Sequence, residues 1–239
     1  PGARALVVDH FNAGAVRRHL DAFLGEGKRW FGHHFGRTFR AIFTDSFELI
    51  SPMHWSRNFI EEFKRRRGYD ISPYLPVTYI PLKDVGYYTY GNEWNLPNFD
   101  FAGGAGERIR YDFQRTISEL FVDEFIRGAA GWAAENGLQS RVQGYGMLAD
   151  PLRMLGCSHI PETEQLYGGG ALHFLKLTGS AASLYARPVA SSETLVWSGR
   201  HYMTTPLKWR VGLDRLYESG INQPIYHGFP YRHPDFPYP

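Results

Sequence analysis

Phe39-Arg-Ala-Ile-Phe-Thr-Asp-Ser-Phe-Glu48 reads as a short strand that ends on polar, chemically capable residues, Asp45 and Glu48. The same shape recurs on either side of it. Upstream, Ala5-Leu-Val-Val-Asp-His-Phe11 carries Asp9 at its end. Downstream, Ser140-Arg-Val-Gln-Gly-Tyr-Gly146 delivers Gln143 and Tyr145, and Ser158-His-Ile-Pro-Glu-Thr-Glu164 delivers Glu162 and Glu164. Two more follow: Ala186-Arg-Pro-Val-Ala-Ser-Ser-Glu193, ending on Glu193, and Asn222-Gln-Pro-Ile-Tyr-His227, ending on His227.

Helical segments separate these strands. Asn12 is placed to cap a helix through Leu24, with Val16, Leu20, Phe23 and Leu24 at helical spacing. Ser56 is expected to cap a second, which carries Phe59, Ile60 and Phe63 on one face and stops at Gly68. A long amphipathic helix is expected from about Glu107 to Asn136, with Phe113, Ile117, Leu120, Phe121, Phe125 and Trp132 inward and Gly137 as its stop. A further helical stretch ends at Tyr185, and Thr205 caps a last helix, with Pro206 in its first turn, running to Gly220. Residues 69–107, rich in Tyr, Pro, Gly and Asn, read as a long loop excursion.

Strands that alternate with helices, without tight hairpin signals, imply right-handed parallel βα units. Two architectures fit. An open nucleotide-binding sheet should carry a glycine-rich phosphate turn after its first strand, and Phe11-Asn-Ala-Gly-Ala-Val16 holds one glycine. A (β/α)8 TIM-type barrel should deliver polar residues at the carboxyl end of every strand, as this chain does. The expectation is an α/β barrel, with residues 1–239 forming part of one such domain. Six βα units are visible, so two strands are expected upstream of Pro1. The start in a buried-looking strand, without Met or a signal peptide, reads as a piece of a longer protein.

Composition narrows the function classes. The 239 residues are 43% hydrophobic and 21% charged, an ordinary globular balance. Lys and Arg total 26 against 24 for Asp and Glu, which argues against nucleic acid as a partner. No apolar run approaches the roughly 18–20 residues of a membrane span. Cys157 is the single cysteine, so no internal disulfide forms, and no zinc spacing is present. Aromatic residues reach 16%, and such rings stack on sugars as well as filling cores, a weak pointer to carbohydrate.

The strand-end carboxylates carry the chemistry. Hydrolysis of a glycoside needs one carboxyl group holding a proton and one ionised, flanking the bond to be cut. Glu48, Glu162, Glu164 and Glu193 all qualify by position. For any single glutamate, a salt bridge or loop cap is the competing reading. Several at consecutive strand ends weaken it, because clustered carboxylates repel unless compensated. In Glu162-Thr-Glu164, alternation puts both side chains on one face, which suits a calcium ion; alternatively Glu164 is solvated. His227 is expected to face the barrel mouth and meet a sugar hydroxyl. His33-His34 reads as loop or packing, and Arg65-Arg66-Arg67 as cations complementing a helix C-terminus. Ser46, Ser191 and Ser192 lack a Gly-x-Ser-x-Gly context, so serine hydrolysis is disfavoured.

Taken together, Phe43-Thr-Asp-Ser-Phe-Glu48, His54-Trp55, Glu62-Phe-Lys-Arg-Arg-Arg-Gly-Tyr-Asp70, Val142-Gln-Gly-Tyr-Gly146, Ile160-Pro-Glu-Thr-Glu164, Ser191-Ser-Glu193 and Tyr226-His-Gly-Phe-Pro-Tyr231 resemble glycoside hydrolase family 106, the α-L-rhamnosidases. The resemblance covers nearly the whole chain. It implies a (β/α)8 catalytic domain within a longer, secreted or periplasmic enzyme that removes terminal α-L-rhamnose with inversion, using two glutamates and calcium. By register the chain would run from barrel strand three to strand eight. The resemblance places the catalytic pair on Glu48 and Glu162, with Glu164 and Glu193 in reserve. Asp45, Gln143, Tyr145, Glu193 and His227 would touch substrate, and Glu164 would bind the metal. Phe47, Leu49 and Ile50 give Glu48 an apolar setting suited to an acid, whereas Glu162 has polar neighbours suited to a base. The competing readings are a retaining barrel glycosidase of other specificity and a non-catalytic carbohydrate-binding fragment.

Overall fold

The computed structural model describes residues 7–49, 53–79, 99–165, 170–196 and 204–228. Five strands form one sheet: β1 Ala41–Thr44, β2 Gln139–Gln143, β3 Ile160–Glu164, β4 Ser191–Thr194 and β5 Gln223–Tyr226. Every pairing is parallel, and the order in space is the order in sequence. A doubly wound sheet reverses direction at a switch point, whereas a barrel adds strands in sequence. The result is a curled parallel half-barrel of five strands.

Among the described residues seven α-helices accompany it: α1 Ala13–Phe31, α2 Phe59–Arg67, α3 Ala105–Leu120, α4 Arg127–Glu135, α5 Pro151–Cys157, α6 Leu172–Leu184 and α7 Pro206–Glu218. Local signals set several of their ends. The Asn12 side chain accepts from the Ala15 amide, and Thr205 does the same for Lys208 ahead of Pro206. Gly68 closes α2 in the left-handed region at φ 84°, which a Cβ disfavours. The arginines before it do more than complement the helix dipole. Arg66 and Arg67 reach Glu119 at 3.4 and 2.5 Å, tying α2 to α3.

The apolar side of the sheet faces the helices. Val142 joins Phe59, Phe63, Phe113, Ile117 and Phe121 in the largest cluster, and Ile42 packs with Trp132, Ala133 and Leu138. Each buried large side chain contributes about 1.5–3 kcal/mol. The opposite, inner side carries Phe43, Arg141, Gln143, Glu162 and Glu193, joined by contacts that cross the strands.

Four expectations need correction. The strand expected at Ala5–Phe11 is not one over its described part: residues 7–9 have no regular structure and a turn follows, while residues 1–6 lie outside the described residues. Ser56 does not cap α2, whose N-terminal flank is Asn58, because the Ser56 hydroxyl donates to Asp9 Oδ2 at 2.7 Å. The helix expected over 107–136 begins at Ala105 and is interrupted by a π-helical segment, Phe121–Ile126. Helix α5 was not expected, because seven residues carry too little periodicity to separate from a turn. Within the expected 69–107 excursion, Ser72–Val77 forms a 3-10 turn, and Tyr74 packs edge-on to Tyr69 and Phe101; residues 80–98 lie outside the described residues.

Candidate functional site

The parallel register stacks the inner side chains in layers. Gln143 pairs with Glu162, and Glu162 with Ser191; one step further along, Glu164 pairs with Glu193. Alternation then sends Arg141, Gln143 and Tyr145 to the same side as Glu162 and Glu164. The deeper layer is closed to solvent. Glu162 is 1% exposed, accepts from Ser191 Oγ at 2.6 Å and Gln143 Nε2 at 3.2 Å, and lies 3.1 Å from Arg141 Nε. The arginine approaches off the hydrogen-bond direction, so this contact is an ion pair. Its guanidinium carbon sits 4.2 Å over the Phe43 ring. Burial raises the proton affinity of Glu162, opposed by Ser191, Arg141 and Gln143.

The outer layer is reachable. Glu193 accepts from Gln143 Nε2 at 2.5 Å, and its other oxygen lies 3.4 Å from His227 Nε2. The Tyr145 hydroxyl is within hydrogen-bond reach of Gln143 Oε1, at 2.7 Å, and of Glu164 Oε2. Burial raises the proton affinity of Glu164 most, and the negative charges of Glu193 and Asp45 raise it further, while Tyr145 and His227 oppose. Burial and then Glu164 hold the Tyr145 hydroxyl firmly neutral.

Glu48 closes the network from β1. Past the strand the chain continues beside β2, with the Phe47 amide donating to Tyr145 O at 3.2 Å and the Leu49 amide to Gly146 O at 2.9 Å. Ser46 Oγ lies 3.4 Å from Glu48 Oε1, and Ser46 also hydrogen-bonds Tyr145. The apolar neighbours that suggested a desolvated Glu48 pack elsewhere: Phe47 and Leu49 turn into the core cluster, and Glu48 is left exposed.

The structure thus brings Glu48, Tyr145, Gln143, Glu162, Glu164, Glu193 and His227 into one hydrogen-bonded and ion-paired set, with Asp45 acting on Glu164 through its charge. Gln143, expected to meet substrate, is fully buried with its amide engaged by protein groups. Sequence reading missed Arg141 and the supporting role of Ser191. The period-two spacing Arg141-x-Gln143-x-Tyr145 was the available signal. Among the described residues no group of three or more His, Cys, Asp or Glu is arranged to hold a metal ion. Among them, too, no helix is long and apolar enough to cross a membrane.

Comparison with known proteins agrees with this geometry. The alpha-L-rhamnosidase model of glycoside hydrolase family 106 matches residues 1–235. A rhamnosidase from Novosphingobium sp. PP1Y has a similar structure, with a TM-score of 0.74 and 25% identity over 95% of this chain and 21% of that one. A curated protein of Formosa agariphila, provisionally named a beta-glucuronidase, is 25% identical over 230 residues, 95% of this chain and 18% of its own length. The chain therefore spans about a fifth of the length of these relatives. A match over almost every residue, joined to a half-barrel with carboxylates at its strand ends, shows that the chain belongs to glycoside hydrolase family 106, the alpha-L-rhamnosidase family.

Proposed function

We propose that this chain is the catalytic part of a glycoside hydrolase that removes terminal α-L-rhamnose, with inversion, from oligosaccharides, polysaccharides or glycosides. In this reading its five described strands are strands four to eight of one (β/α)8 domain, within a secreted or periplasmic protein. The observation that carries the proposal is the joining of four glutamates from β1, β3 and β4 in one network at the strand ends. Inversion takes two proton movements on opposite faces of the sugar. A protonated carboxyl gives its proton to the glycosidic oxygen as the C1–O bond breaks, and an ionised one takes a proton from the water that attacks C1.

Sequence reading paired Glu48 with Glu162. Exposure supports Glu48 as the acid, since a glycosidic oxygen can reach it. The depth of Glu162, sealed by Ser191, Gln143 and Arg141, favours Glu193 as the base: its side chain is 18% exposed, held by Gln143 Nε2 on one oxygen and faced by His227 Nε2 on the other. Asp45, Tyr145 and His227 are the proposed substrate contacts, and Glu162 is assigned a supporting place beneath them. The test is proton NMR of an aryl α-L-rhamnoside turned over by the whole protein. The β-anomer of rhamnose should appear first, and first appearance of the α-anomer would replace inversion by the retaining mechanism. Glu193→Gln should lower kcat by about 10²–10⁴-fold on every substrate. Glu48→Gln should cripple poor leaving groups and largely spare an activated aryl rhamnoside.

The name of the Formosa relative raises a glucuronide as a second substrate class. The Arg141 charge is already met by Glu162, which favours a neutral sugar over a uronate. An aryl β-glucuronide cleaved faster than the rhamnoside would reverse that choice. Calcium is proposed for the whole protein, with no catalytic step assigned to it. Chelation should then lower the melting temperature, and unchanged melting and activity would remove calcium from the account.

A further inference from the structure

We propose that Gln143 is a positioning residue: it aims the Glu193 carboxylate at the attacking water and does not bind substrate. The inference rests on the assignment of Glu193 as base. Gln143 has no exposed surface, so a sugar does not reach it. Its amide nitrogen donates to Glu162 Oε1 at 3.2 Å and to Glu193 Oε2 at 2.5 Å, while its oxygen accepts from Tyr145 at 2.7 Å. A glutamine amide has two N–H donors and one carbonyl acceptor, and each has a partner here. Flipping the amide would face its oxygen to two carboxylates, so a single orientation survives.

That orientation is itself held from below. Glu162 is fixed by Ser191 on β4 and by Arg141 on β2, and Arg141 is seated on Phe43 of β1. Gln143 therefore transmits the rigidity of four strands to a carboxylate on β4, with His227 of the β5 end facing the other oxygen at 3.4 Å. An apolar residue at this position would leave Glu162 and Glu193 without the shared donor that separates them. Displacement of a catalytic group by about 1 Å can cost about 10²-fold in rate.

The experiment uses the whole protein and an activated aryl α-L-rhamnoside, with Gln143→Leu and the near-isosteric Gln143→Glu. Both should lower kcat by about 10- to 100-fold with KM changed less than about threefold, a split that loss of a substrate contact does not give. In a Glu193→Ala background, assayed with azide as external nucleophile, Gln143→Leu should change the rate by less than about threefold, because the group it positions is gone. The inference is overturned by kcat near wild type in both variants, by an effect confined to KM, by an undiminished effect in the Glu193→Ala background, or by failure of both variants to fold. Wild-type kcat in Glu193→Ala alone defeats the base assignment, and shows this without any Gln143 variant.

Discussion

Glu48 has φ of 47°, left-handed backbone that costs a side-chain-bearing residue about 1–2 kcal/mol. Its neighbour across the strands explains how this is sustained. Gly146, at φ 79°, comes so close that an added Cβ would lie 2.6 Å from the Glu48 amide nitrogen. Gly146→Ala should therefore combine backbone strain with a clash, costing about 1–3 kcal/mol. It should also push Glu48 aside, so that kcat at a temperature well below melting falls by more than about tenfold. Thermal melts and steady-state rates on the same preparation check both parts. A stability loss with normal kcat would mean that Glu48 tolerates the shift. Charge acts on the same end. The proton affinities of Glu162 and Glu164 are raised in the folded state, so their contribution to stability is present below the unfolded glutamate value and is lost as pH rises through the folded ones. Glu164→Gln keeps an acceptor for Tyr145 and removes the charge. In the presence of chelator it should melt higher than wild type at pH 7, with the difference shrinking toward about pH 4. An equal difference at both values would refute the electrostatic cause.

Among the elements, α6 and α7 show how closely neighbouring units meet. A Cβ on Gly179 would lie 2.1 Å from the carbonyl oxygen of Ser219, where α7 ends. Backbone cannot yield there as a flexible side chain would. Gly179→Ala is expected to cost about 1–3 kcal/mol in denaturant unfolding while the folded enzyme keeps its specific activity, because the contact is far from the carboxylate network. A loss of activity without loss of stability would contradict this. Element ends carried by short-range chemistry were legible in sequence: the Asn12 cap, Thr205 with Pro206, and the glycine stop at Gly68. Those decided by long-range partners were not. Ser56 and Asn58 are both competent caps, and the distant Asp9 engages the Ser56 hydroxyl. The π segment likewise answers to packing. It places Phe121 edge-on to Phe47 at 4.8 Å and beside Phe11 and Phe125, contacts that no helical period encodes.

At the scale of the molecule, the sheet formed by the described residues is open. Among the described residues, β1 and β5 each pair on one side, and a cavity of about 600 Å³ runs between β1 and α1, lined by Phe23, Phe39 and Phe47. Phe23 and Trp30 are 71% and 65% exposed on α1, as are Leu207 at 63% and Trp209 at 41% on α7. Apolar surface flanking two open strand edges is an association hazard. The 239-residue polypeptide studied alone should therefore sediment as species larger than a monomer, and the whole protein should not show this through these faces. A sharp monomer boundary for the isolated chain would show that these edges are closed by the chain itself.

Sequence alone determined the alternation of strand and helix, the parallel sense and the delivery of carboxylates to strand ends. These follow from alternation, helical spacing and capping, which act over a few residues. It also placed Glu48, Glu162, Glu164, Glu193 and His227 at one end of the sheet, where the structure has them. Depth was decided only by tertiary structure. Glu162 and Glu164 are two residues apart in similar surroundings, yet pairing Glu162 with Ser191 buries it over Arg141, and pairing Glu164 with Glu193 keeps it near the surface. Register between strands some thirty residues apart sets which oxygen meets water, and no local pattern fixes that register.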